Sequence, residues 1–335
     1  MNICILLATY NGEKFLNAQL NSLIHQTEKE WICLIRDDGS QDKTIEIINE
    51  YCLKDSRFIL ISDDLGPQGN AMANFSLLIE AGVKTDADYF FFSDQDDVWA
   101  NNKLEFIAAE FKKKNIQKPL LIHHDLEVVN HDLSQLSPSF IHYSALEPSA
   151  SFARLLSRNV VTGCASACNR ELLELSLPLP KEALMHDWWL ALTASYFGEL
   201  HFINKVLIKY RQHENNVLGA NSFKQITKPF RPFQSIKKGQ FRSRFKRLME
   251  LSPSFYSTLD QAGAFLNLIN SKQEVVNCQR KKNFRVLVTY SNLLKFSKLK
   301  RISSILYFGF LQKNLQLKIR MFIKFIFYSS KEREE

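Results

Sequence analysis

A short aromatic run that ends in acidic residues indicates the fold class of this chain: Tyr89-Phe90-Phe91-Phe92-Ser93-Asp94-Gln95-Asp96-Asp97-Val98-Trp99. The three consecutive phenylalanines predict a buried strand, and the polar residues after them predict a turn. Asp94 and Asp96 alternate, so at the end of an extended strand both side chains point to one side. Carboxylates this close repel one another, and a hard divalent cation such as Mn²⁺ or Mg²⁺ relieves that repulsion while also binding phosphates. The stretch therefore predicts a divalent-metal site, with a solvated acidic turn as the alternative.

Upstream of this run, strand patterns alternate with helix patterns. The predicted strands are 3–8, 31–35, 58–61 and 89–93, and the predicted helices are 13–26, 44–51 and 71–82. Such alternation is typical of right-handed crossovers and a mainly parallel sheet with helices on both faces. Ligands of these sheets bind at the carboxyl ends of the strands. Polar clusters at 9–12, 36–40 and 93–97 all follow strands, so we predict an α/β fold with its binding site at that edge.

Composition excludes several classes of protein. The 335 residues are 45% hydrophobic, which is enough to bury a large core and predicts one big domain with an appendage. Six scattered cysteines without a Cys-x-x-Cys pair are typical of reduced core thiols and favour a cytoplasmic location. Residues 1–8 resemble a first strand rather than a signal peptide, and no uncharged apolar run reaches the roughly 18 residues that span a bilayer. Without Gly-x-Gly-x-x-Gly or Gly-Lys-Ser/Thr, a Rossmann dehydrogenase or a phosphate-loop NTPase is not expected.

Charge divides the chain into an acidic and a basic part. Residues 1–223 contain 19 Lys+Arg and 29 Asp+Glu, whereas residues 224–335 contain 24 and 6. We therefore predict a catalytic domain over 1–223 and a basic, mostly helical region over 224–335, with helical stretches at 237–251, 279–299 and 301–328. Basic amphipathic helices favour contact with an anionic membrane surface. Packing on the catalytic domain is an equal alternative, and nucleic acid is not an expected partner because no recognised module is present.

Six sequence blocks together resemble family 2 glycosyltransferases. They are Ala8-Thr9-Tyr10-Asn11-Gly12, residues 36–42 (Arg-Asp-Asp-Gly-Ser-Gln-Asp), residues 93–99, residues 162–172, Met185-His186-Asp187-Trp188-Trp189-Leu190, and residues 210–217 (Tyr-Arg-Gln-His-Glu-Asn-Asn-Val). The Asp-Gln-Asp-Asp-Val-Trp, His-Asp-Trp-Trp and Tyr-Arg-Gln-His forms are most similar to the bacterial rhamnosyltransferase-like subgroup. The resemblance covers about residues 2–219.

The resemblance implies a GT-A fold, which is a Rossmann-like, mainly parallel sheet flanked by helices, and an inverting, metal-dependent hexosyl transfer. By that resemblance Asp187 is the general base, and Gly163, Trp188 and Trp189 lie on the acceptor side. Asp94, Asp96 and His213 are the implied ligands of Mn²⁺ or Mg²⁺. The residues implied to bind the nucleotide sugar are Thr9, Tyr10, Asn11, Asp38, Asp94, Gln95 and Asp96. His186 stands where the family often has Glu, a departure that bears on the pH behaviour of the base.

From the sequence we predict a glycosyltransferase that uses dTDP-rhamnose or a UDP-hexose. The expected acceptor is a glycan, by analogy a lipid-linked intermediate of bacterial O-antigen or capsule assembly, reached from the inner face of the cytoplasmic membrane. The alternatives are a nucleotidyltransferase, which also uses paired acids and a metal, and an inactive nucleotide-binding or membrane-scaffold protein. His123, His124 and Asp125 follow a predicted strand at 120–122. Their residue types could form a metal cluster, but we expect them at the sheet edge near the acceptor and outside the metal site.

Overall fold

A computed structural model of the chain describes residues 2–63, 65–213, 255–272 and 278–311. The predicted domain boundary at 223, the predicted helical stretch at 237–251 and the end of the stretch at 301–328 lie outside the described residues. The chain divides into two compact units. The first comprises residues 1–142, 161–179 and 185–219, and the second comprises residues 143–160, 180–184 and 220–335.

Within the described residues, nine strands of the first unit form one mixed sheet. The strands are β1 (Ile3–Thr9), β2 (Trp31–Asp37), β3 (Phe58–Leu60), β4 (Tyr89–Ser93), β5 (Val98–Trp99), β6 (Leu120–Val129), β7 (Gln135–Ser137), β8 (Ser166–Asn169) and β9 (Glu199–Arg211). Their order is β3-β2-β1-β4-β8-β6-β9-β5, and β7 pairs with β6. The pairs β1·β2, β1·β4, β2·β3 and β6·β9 are parallel, whereas β8 runs antiparallel to both β4 and β6. This architecture confirms the predicted α/β fold.

The helices alternate with the strands in the first half of the chain. They are α1 (Leu16–Ile24), α2 (Thr44–Lys54), α3 (Ala71–Gly82), α4 (Lys103–Lys112), α5 (Phe140–Tyr143), α6 (Phe152–Leu155), α7 (Arg170–Ser176), α8 (His186–Phe197), α9 (Phe255–Ser271), α10 (Cys278–Ser291) and α11 (Lys298–Phe308). Short 3₁₀ turns cover Gly163–Ala165 and Leu293–Lys295.

The core of the first unit lies on both faces of its central strands. Phe90, Phe91 and Phe92 of β4 are fully buried, because helices cover a strand that has neighbours on both sides. Helix α3 approaches the sheet closely at Gly82, where an added Cβ would lie 3.1 Å from the Leu6 side chain. The close approach places the start of the α3–β4 connection against the sheet. The acidic turn then follows β4 at the other end of that strand.

One sequence expectation about the sheet is wrong. His123, His124 and Asp125 do not lie at an edge, because β6 continues to Val129 and lies between β8 and β9. All three side chains are buried. The carboxylate of Asp125 accepts hydrogen bonds from the Ser139 hydroxyl and from the Ile141 backbone N–H, so its polarity is satisfied inside the fold.

The second unit has a helical core of its own. Phe265 of α9 and Leu287 of α10 are fully buried. The hydroxyls of Thr258 and Tyr290 form a buried 3.0 Å hydrogen bond between the same two helices. In the described part of the chain, none of the helices combines the length and the apolar character that crossing a bilayer requires.

Candidate active site at the carboxyl ends of the parallel strands

The carboxyl ends of β1, β2 and β4 meet at one edge of the sheet, as the sequence predicts. In the parallel register Thr9 lies beside Asp37, and Leu7 lies beside Ser93. Gln95, which follows β4, hydrogen-bonds to Tyr10, which follows β1, and so connects the ends of these two strands. Its Oε1 accepts from Tyr10 N and its Nε2 donates to Tyr10 O, both at 2.8 Å. A Cβ added at Gly12 would collide with Gln95 Oε1, so a larger residue there would displace the Gln95 side chain from Tyr10.

Several residues predicted to bind the nucleotide sugar also connect the loops of this edge. The Thr9 hydroxyl donates to Asp37 Oδ1 at 2.8 Å, and Thr9 is buried. Asn11 adopts a left-handed backbone (φ 47°), and its Oδ1 accepts from Gln41 N at 2.8 Å. The Tyr10 side chain, by contrast, is 54% exposed at the strand ends. Of these residues, Tyr10 is the one whose ring is open to stack on a planar ligand.

Asp38 anchors the loop at 66–69 to the end of β2. Its carboxylate accepts hydrogen bonds from Gln68 N at 2.6 Å and from Gly69 N at 2.8 Å. Arg36 lies behind it, with Nη1 3.2 Å from Asp38 Oδ1, and its Nε lies 2.7 Å from the Asp63 carboxylate. Arg36 and Asp38 are both buried. The structure thus adds Arg36 and Asp63 to the site as the ionic support of Asp38.

The acidic turn separates into two clusters. Asp96 faces the imidazole of His213, with Oδ2 and Nε2 2.7 Å apart. On the other side, ligand atoms of Asp94, Asp97 and Cys164 all lie within 4.8 Å of one another. Burial and, after it, the negative charges of Asp96 and Asp187 together raise the pKa of Asp94 to about 7. Burial, together with the charges of Asp96 and Asp94, likewise raises the pKa of Asp97 well above its ordinary range.

Lys103 provides a buried cation next to the cluster of Asp94, Asp97 and Cys164. Its ammonium donates to Cys164 O at 2.7 Å and lies 3.4 Å from the centroid of the Trp99 ring. Burial lowers the pKa of Lys103 to about 7, whereas the nearby carboxylates oppose that change. The charge of Lys103 in turn lowers the pKa of Asp94. No sequence pattern indicates this contact, because Lys103 is the first residue of an ordinary amphipathic helix.

Arg211 connects the acidic turn to the end of β9. Its backbone N–H donates to Asp97 Oδ1 at 3.2 Å, and its Nε donates to Asp96 O at 2.8 Å. The guanidinium also lies 4.5 Å from the centroid of the Phe15 ring. The Tyr-Arg-Gln-His block therefore fixes the acidic turn through Arg211 and presents His213 to Asp96.

Asp187 lies in the first turn of α8, where the partial positive charge of the helix N-terminus stabilises an anion. Gly163 packs against this turn. A Cβ at Gly163 would lie 2.8 Å from His186 Nε2 and 3.6 Å from Asp187 Oδ2, so a glycine is needed for the close approach. Because the next residue, Cys164, belongs to the cluster with Asp94, the predicted base and the acidic turn lie on two sides of one short segment.

His186 is packed as an aromatic ring. It stacks on Phe75 with centroids 3.9 Å apart and is buried. Burial lowers the pKa of His186 to about 3, so the side chain is neutral at physiological pH. The residue that replaces the family's frequent Glu therefore adds no charge beside Asp187.

The two tryptophans after Asp187 are core residues in this structure. Trp188 is 4% and Trp189 is 1% exposed, and the Trp189 indole donates to Ser176 O at 3.0 Å. Both rings pack in the core in this structure, while the placement of Trp188 and Trp189 on the acceptor side stays a prediction. Their position on α8 supports the helix that carries Asp187.

Comparison with known proteins identifies the family. The model of "Glycosyl transferase family 2" matches residues 4–175, which contain the first four of the six sequence blocks. This protein belongs to glycosyl transferase family 2. The family membership shows that it is a glycosyltransferase and confirms the resemblance found in the sequence.

Several bacterial relatives of this family 2 glycosyltransferase have named activities. The "dTDP-rhamnosyl transferase RfbG" of Shigella flexneri is 31% identical over 235 residues, 65% of this chain and 75% of the relative. The "UDP-Glc:alpha-D-GlcNAc-diphosphoundecaprenol beta-1,3-glucosyltransferase WfgD" of Escherichia coli is 26% identical over 228 residues, 67% of this chain and 82% of the relative. The similarity of this glycosyltransferase to the rhamnosyltransferase subgroup is thereby confirmed.

Solved structures show that the family 2 chain has the GT-A fold. It superimposes on S. aureus TarS 1–349 in complex with UDP-GlcNAc with a TM-score of 0.55 and 12% identity, covering 97% of this chain and 89% of TarS 1–349. It also matches GalNAc-T7 with UDP, GalNAc and Mn²⁺, with a TM-score of 0.50 and 12% identity, over 64% of this chain and 44% of GalNAc-T7. At 12% identity, these structural similarities show that the fold is shared and show nothing about substrates.

Proposed function

We propose that this glycosyltransferase transfers one sugar, with inversion, from a nucleotide-diphosphate sugar to a glycan acceptor in a metal-dependent reaction. The observation that carries the proposal is the approach of two acidic elements: Asp94 and Asp96 at the end of β4, and Asp187 at the start of α8. Gly163 and Cys164 lie between them. A donor-side acid pair and a separate base are the parts that an inverting transfer needs.

The donor diphosphate is expected at the strand-end edge, with Tyr10 available to stack on the base. The proposed ligands of a divalent cation are Asp94, Asp96 and His213, since carboxylate and imidazole suit Mn²⁺ and the carboxylates also suit Mg²⁺. In this structure Asp96 already pairs with His213, whereas Asp94 groups with Asp97 and Cys164. The 2.7 Å approach of His213 to Asp96 supports this set. Asp97 and Cys164 fit a cation less well, because the ammonium of Lys103 already lies next to them. When bound, the metal would neutralise charge on the diphosphate leaving group.

Asp187 supplies the base in this scheme. The acceptor hydroxyl oxygen forms a bond to the anomeric carbon as the bond from that carbon to the diphosphate oxygen breaks, and Asp187 takes the hydroxyl proton. Attack from the face opposite the diphosphate inverts the configuration. The neutral His186 beside Asp187 leaves the carboxylate as the group that holds the proton.

A lipid-linked acceptor is supported by what relatives act on. The E. coli relatives WfgD and WfaP are both named for a diphosphoundecaprenol-linked acceptor, and RfbG is named for dTDP-rhamnose. We infer that this enzyme uses dTDP-rhamnose or a UDP-hexose. Its product would be an intermediate of bacterial surface polysaccharide, made at the inner face of the cytoplasmic membrane.

The test compares wild type with Asp187→Asn across UDP- and dTDP-sugars, with and without Mn²⁺ or Mg²⁺. Nucleotide diphosphate release and the mass of the glycosylated acceptor are measured with a lipid-linked extract, and donor binding is measured by calorimetry. Loss of a positioned general base costs about 10²- to 10⁴-fold in rate, so we expect Asp187→Asn to bind the donor and to lose at least a hundredfold in turnover.

Asp86→Asn is the matched control, because Asp86 is an exposed acid that precedes β4 at the opposite end of the strand. It is expected to retain wild-type turnover. If Asp187→Asn keeps more than a tenth of the wild-type rate, another residue is the base. If donor binding is the same with and without metal in wild type and Asp96→Asn, the proposed metal site is wrong.

A further inference from the structure

Helix α11 of the second unit exposes its apolar side. Leu299 is 82%, Leu306 is 60% and Tyr307 is 83% exposed. The two leucines are seven residues apart and lie on one side of the helix, and Tyr307, eight residues after Leu299, borders that side. Ser303, between the two leucines on that face, is also exposed. An ordinary surface helix shows the reverse arrangement, with apolar residues toward the core and polar residues toward water.

The opposite side of α11 is held by polar contacts. Arg301 is buried, and its guanidinium donates to the carbonyl oxygens of Leu293, Leu294 and Phe296 at 3.1 to 3.3 Å. Ser297 caps the helix N-terminus by accepting from Lys300 N. Ile305 adds one fully buried apolar side chain. The orientation of α11 is therefore fixed by an arginine that satisfies the preceding turn, and the exposed leucines are not the result of a loosely attached helix.

The segment that carries this face is strongly basic. Residues 278–311 contain eight Lys and Arg and no Asp or Glu. On α11 and the turn before it, the exposed members are Lys295, Lys298 and Lys300. The Lys300 ammonium lies 4.3 Å from the centroid of the Phe296 ring, next to the apolar face.

We propose that the exposed face of α11, formed by Leu299, Ser303, Leu306 and Tyr307, lies on an anionic lipid bilayer surface. Leucine and tyrosine side chains of such a helix enter the headgroup and acyl boundary, while lysines beside them contact acidic headgroups. The proposal rests on the proposed function in that a lipid-linked acceptor requires the enzyme to work at a membrane. It adds to that function the surface that makes the contact.

The lysines around the exposed face of α11 complement an anionic membrane better than they complement a second copy of the chain. In a symmetric dimer the α11 face would meet its own copy, so that the lysines around it would meet lysines, and like charges placed opposite one another oppose association. A bilayer with anionic headgroups offers the opposite charge around an apolar layer. Both the apolar face and its basic surround then find suitable partners.

The experiment measures partitioning of the full-length protein onto vesicles by sedimentation. Vesicles of phosphatidylcholine alone are compared with vesicles that also contain phosphatidylglycerol, at low and high NaCl. We expect binding to the acidic vesicles that weakens as salt rises, because salt screens the lysines. Leu299→Glu places a carboxylate on the face, and we expect it to lower the partition coefficient at least about tenfold. Replacing Lys298 with Gln is expected to lower it about fivefold.

Leu53→Glu is the matched control, because Leu53 is an 89% exposed leucine on α2 of the first unit. It introduces the same charge at a similarly exposed position and is expected to bind vesicles as wild type does. Both leucines are exposed, so thermal unfolding of the two variants should match wild type, which separates lost binding from lost folding.

The proposal is overturned if Leu299→Glu and Leu53→Glu bind acidic vesicles equally well, or if wild type binds neither kind of vesicle. It is also overturned if wild type is a dimer by analytical ultracentrifugation and Leu299→Glu is a monomer, since the face then contacts a second copy. Donor-dependent nucleotide release from wild type and Leu299→Glu is measured in parallel. Release without vesicle binding would leave the proposed transfer intact and refute the membrane contact alone.

Discussion

Replacing Arg36 with Met tests the ionic support beneath the strand-end site. The Arg36 guanidinium donates to Asp63, Asp38, Asn74 and Gly66 O, with five donor–acceptor distances from 2.7 to 3.2 Å. Methionine keeps much of the apolar volume and removes every one of these hydrogen bonds. Asp38, which is only 4% exposed, would keep the two N–H groups of loop 66–69 and lose its cation.

The expected loss follows from the burial of this pair. Breaking a buried ion pair by removing one partner costs about 3–5 kcal/mol, because the remaining charge stays buried without compensation. The Asp63 side chain is 24% exposed and relaxes into water, so we expect the lower end, about 3 kcal/mol. A catalytic unit of this size should then melt about 6–12 °C lower.

The stability difference should also depend on pH. Hydrogen bonds from Arg36 lower the pKa of Asp63, so the stabilisation by this pair is complete above the unfolded pKa of about 4. It is lost as pH falls through the lower pKa of the folded state, because the carboxylate is then protonated. The difference in unfolding free energy between wild type and Arg36→Met should therefore narrow below about pH 4.

Urea unfolding and calorimetry from pH 3 to 8 measure both effects, together with the Michaelis constant for the donor. Arg57→Met is the control, because Arg57 pairs with Asp55 in a similar way but the two side chains are 25% and 19% exposed. A more exposed pair should contribute about 1 kcal/mol or less. If Arg36→Met loses no more stability than Arg57→Met, the buried Arg36 network does not support the site as we infer.

Three further substitutions test the region around the base and the acidic turn. Gly163→Ala would place a Cβ 2.8 Å from His186 Nε2, so we expect the start of α8 to shift and turnover to fall at least tenfold, with unchanged donor affinity by calorimetry. His186→Phe should keep the wild-type pH–rate profile, because burial holds the pKa of His186 at about 3 and its ring already stacks on Phe75. If the profile of the variant lacks an ionisation that wild type shows between pH 5 and 8, this reasoning is wrong. Lys103→Met removes the buried cation, so we expect the variant to melt several degrees lower than wild type. Added Mn²⁺ should raise the melting temperature of the variant more than that of wild type. If Mn²⁺ raises both melting temperatures equally, Lys103 does not act as the counter-charge.

The first half of the fold was predictable from sequence because local signals agree there. Strand β1 is a run of apolar residues, and the predicted 3–8 differs from the observed Ile3–Thr9 by one residue. Helix α3 was predicted at 71–82, as observed, since Asn70 caps it by accepting from Ala73 N. Both elements are decided by residues within or next to them.

Strand β6 was only partly predictable because its second half is polar and its partner is distant. The apolar run ends at Ile122, whereas the strand continues to Val129 alongside β9, more than seventy residues later. Buried Asp125 accepts one hydrogen bond from the adjacent Leu126 N–H, but its other two donors come only after the chain returns at Ser139 and Ile141. No local pattern could show that a polar stretch would be satisfied inside the sheet.

That the candidate site residues come together at one edge of the sheet was predictable, and the contacts among them were not. Strand ends placed Thr9, Asp38 and Asp94 at one edge, as three polar clusters in the sequence indicated. That Asp38 binds loop 66–69 and that Lys103 lies next to Asp94 depends on tertiary packing. Sequence spacing gives no information on either contact.

The clamp between Gln95 and Tyr10 bears on how enzymes of this type acquire new substrates. The side chains of Thr9, Asn11 and Gln95 hydrogen-bond to neighbouring loops, so they form a frame whose polar groups are satisfied before a donor arrives. Under the proposed function, this frame would not need to change when the transferred sugar does. Donor preference would then change through groups that the frame leaves at its surface, among them the exposed ring of Tyr10 and loop 66–69. Redesign of the transferred sugar should begin with those positions and leave the frame intact.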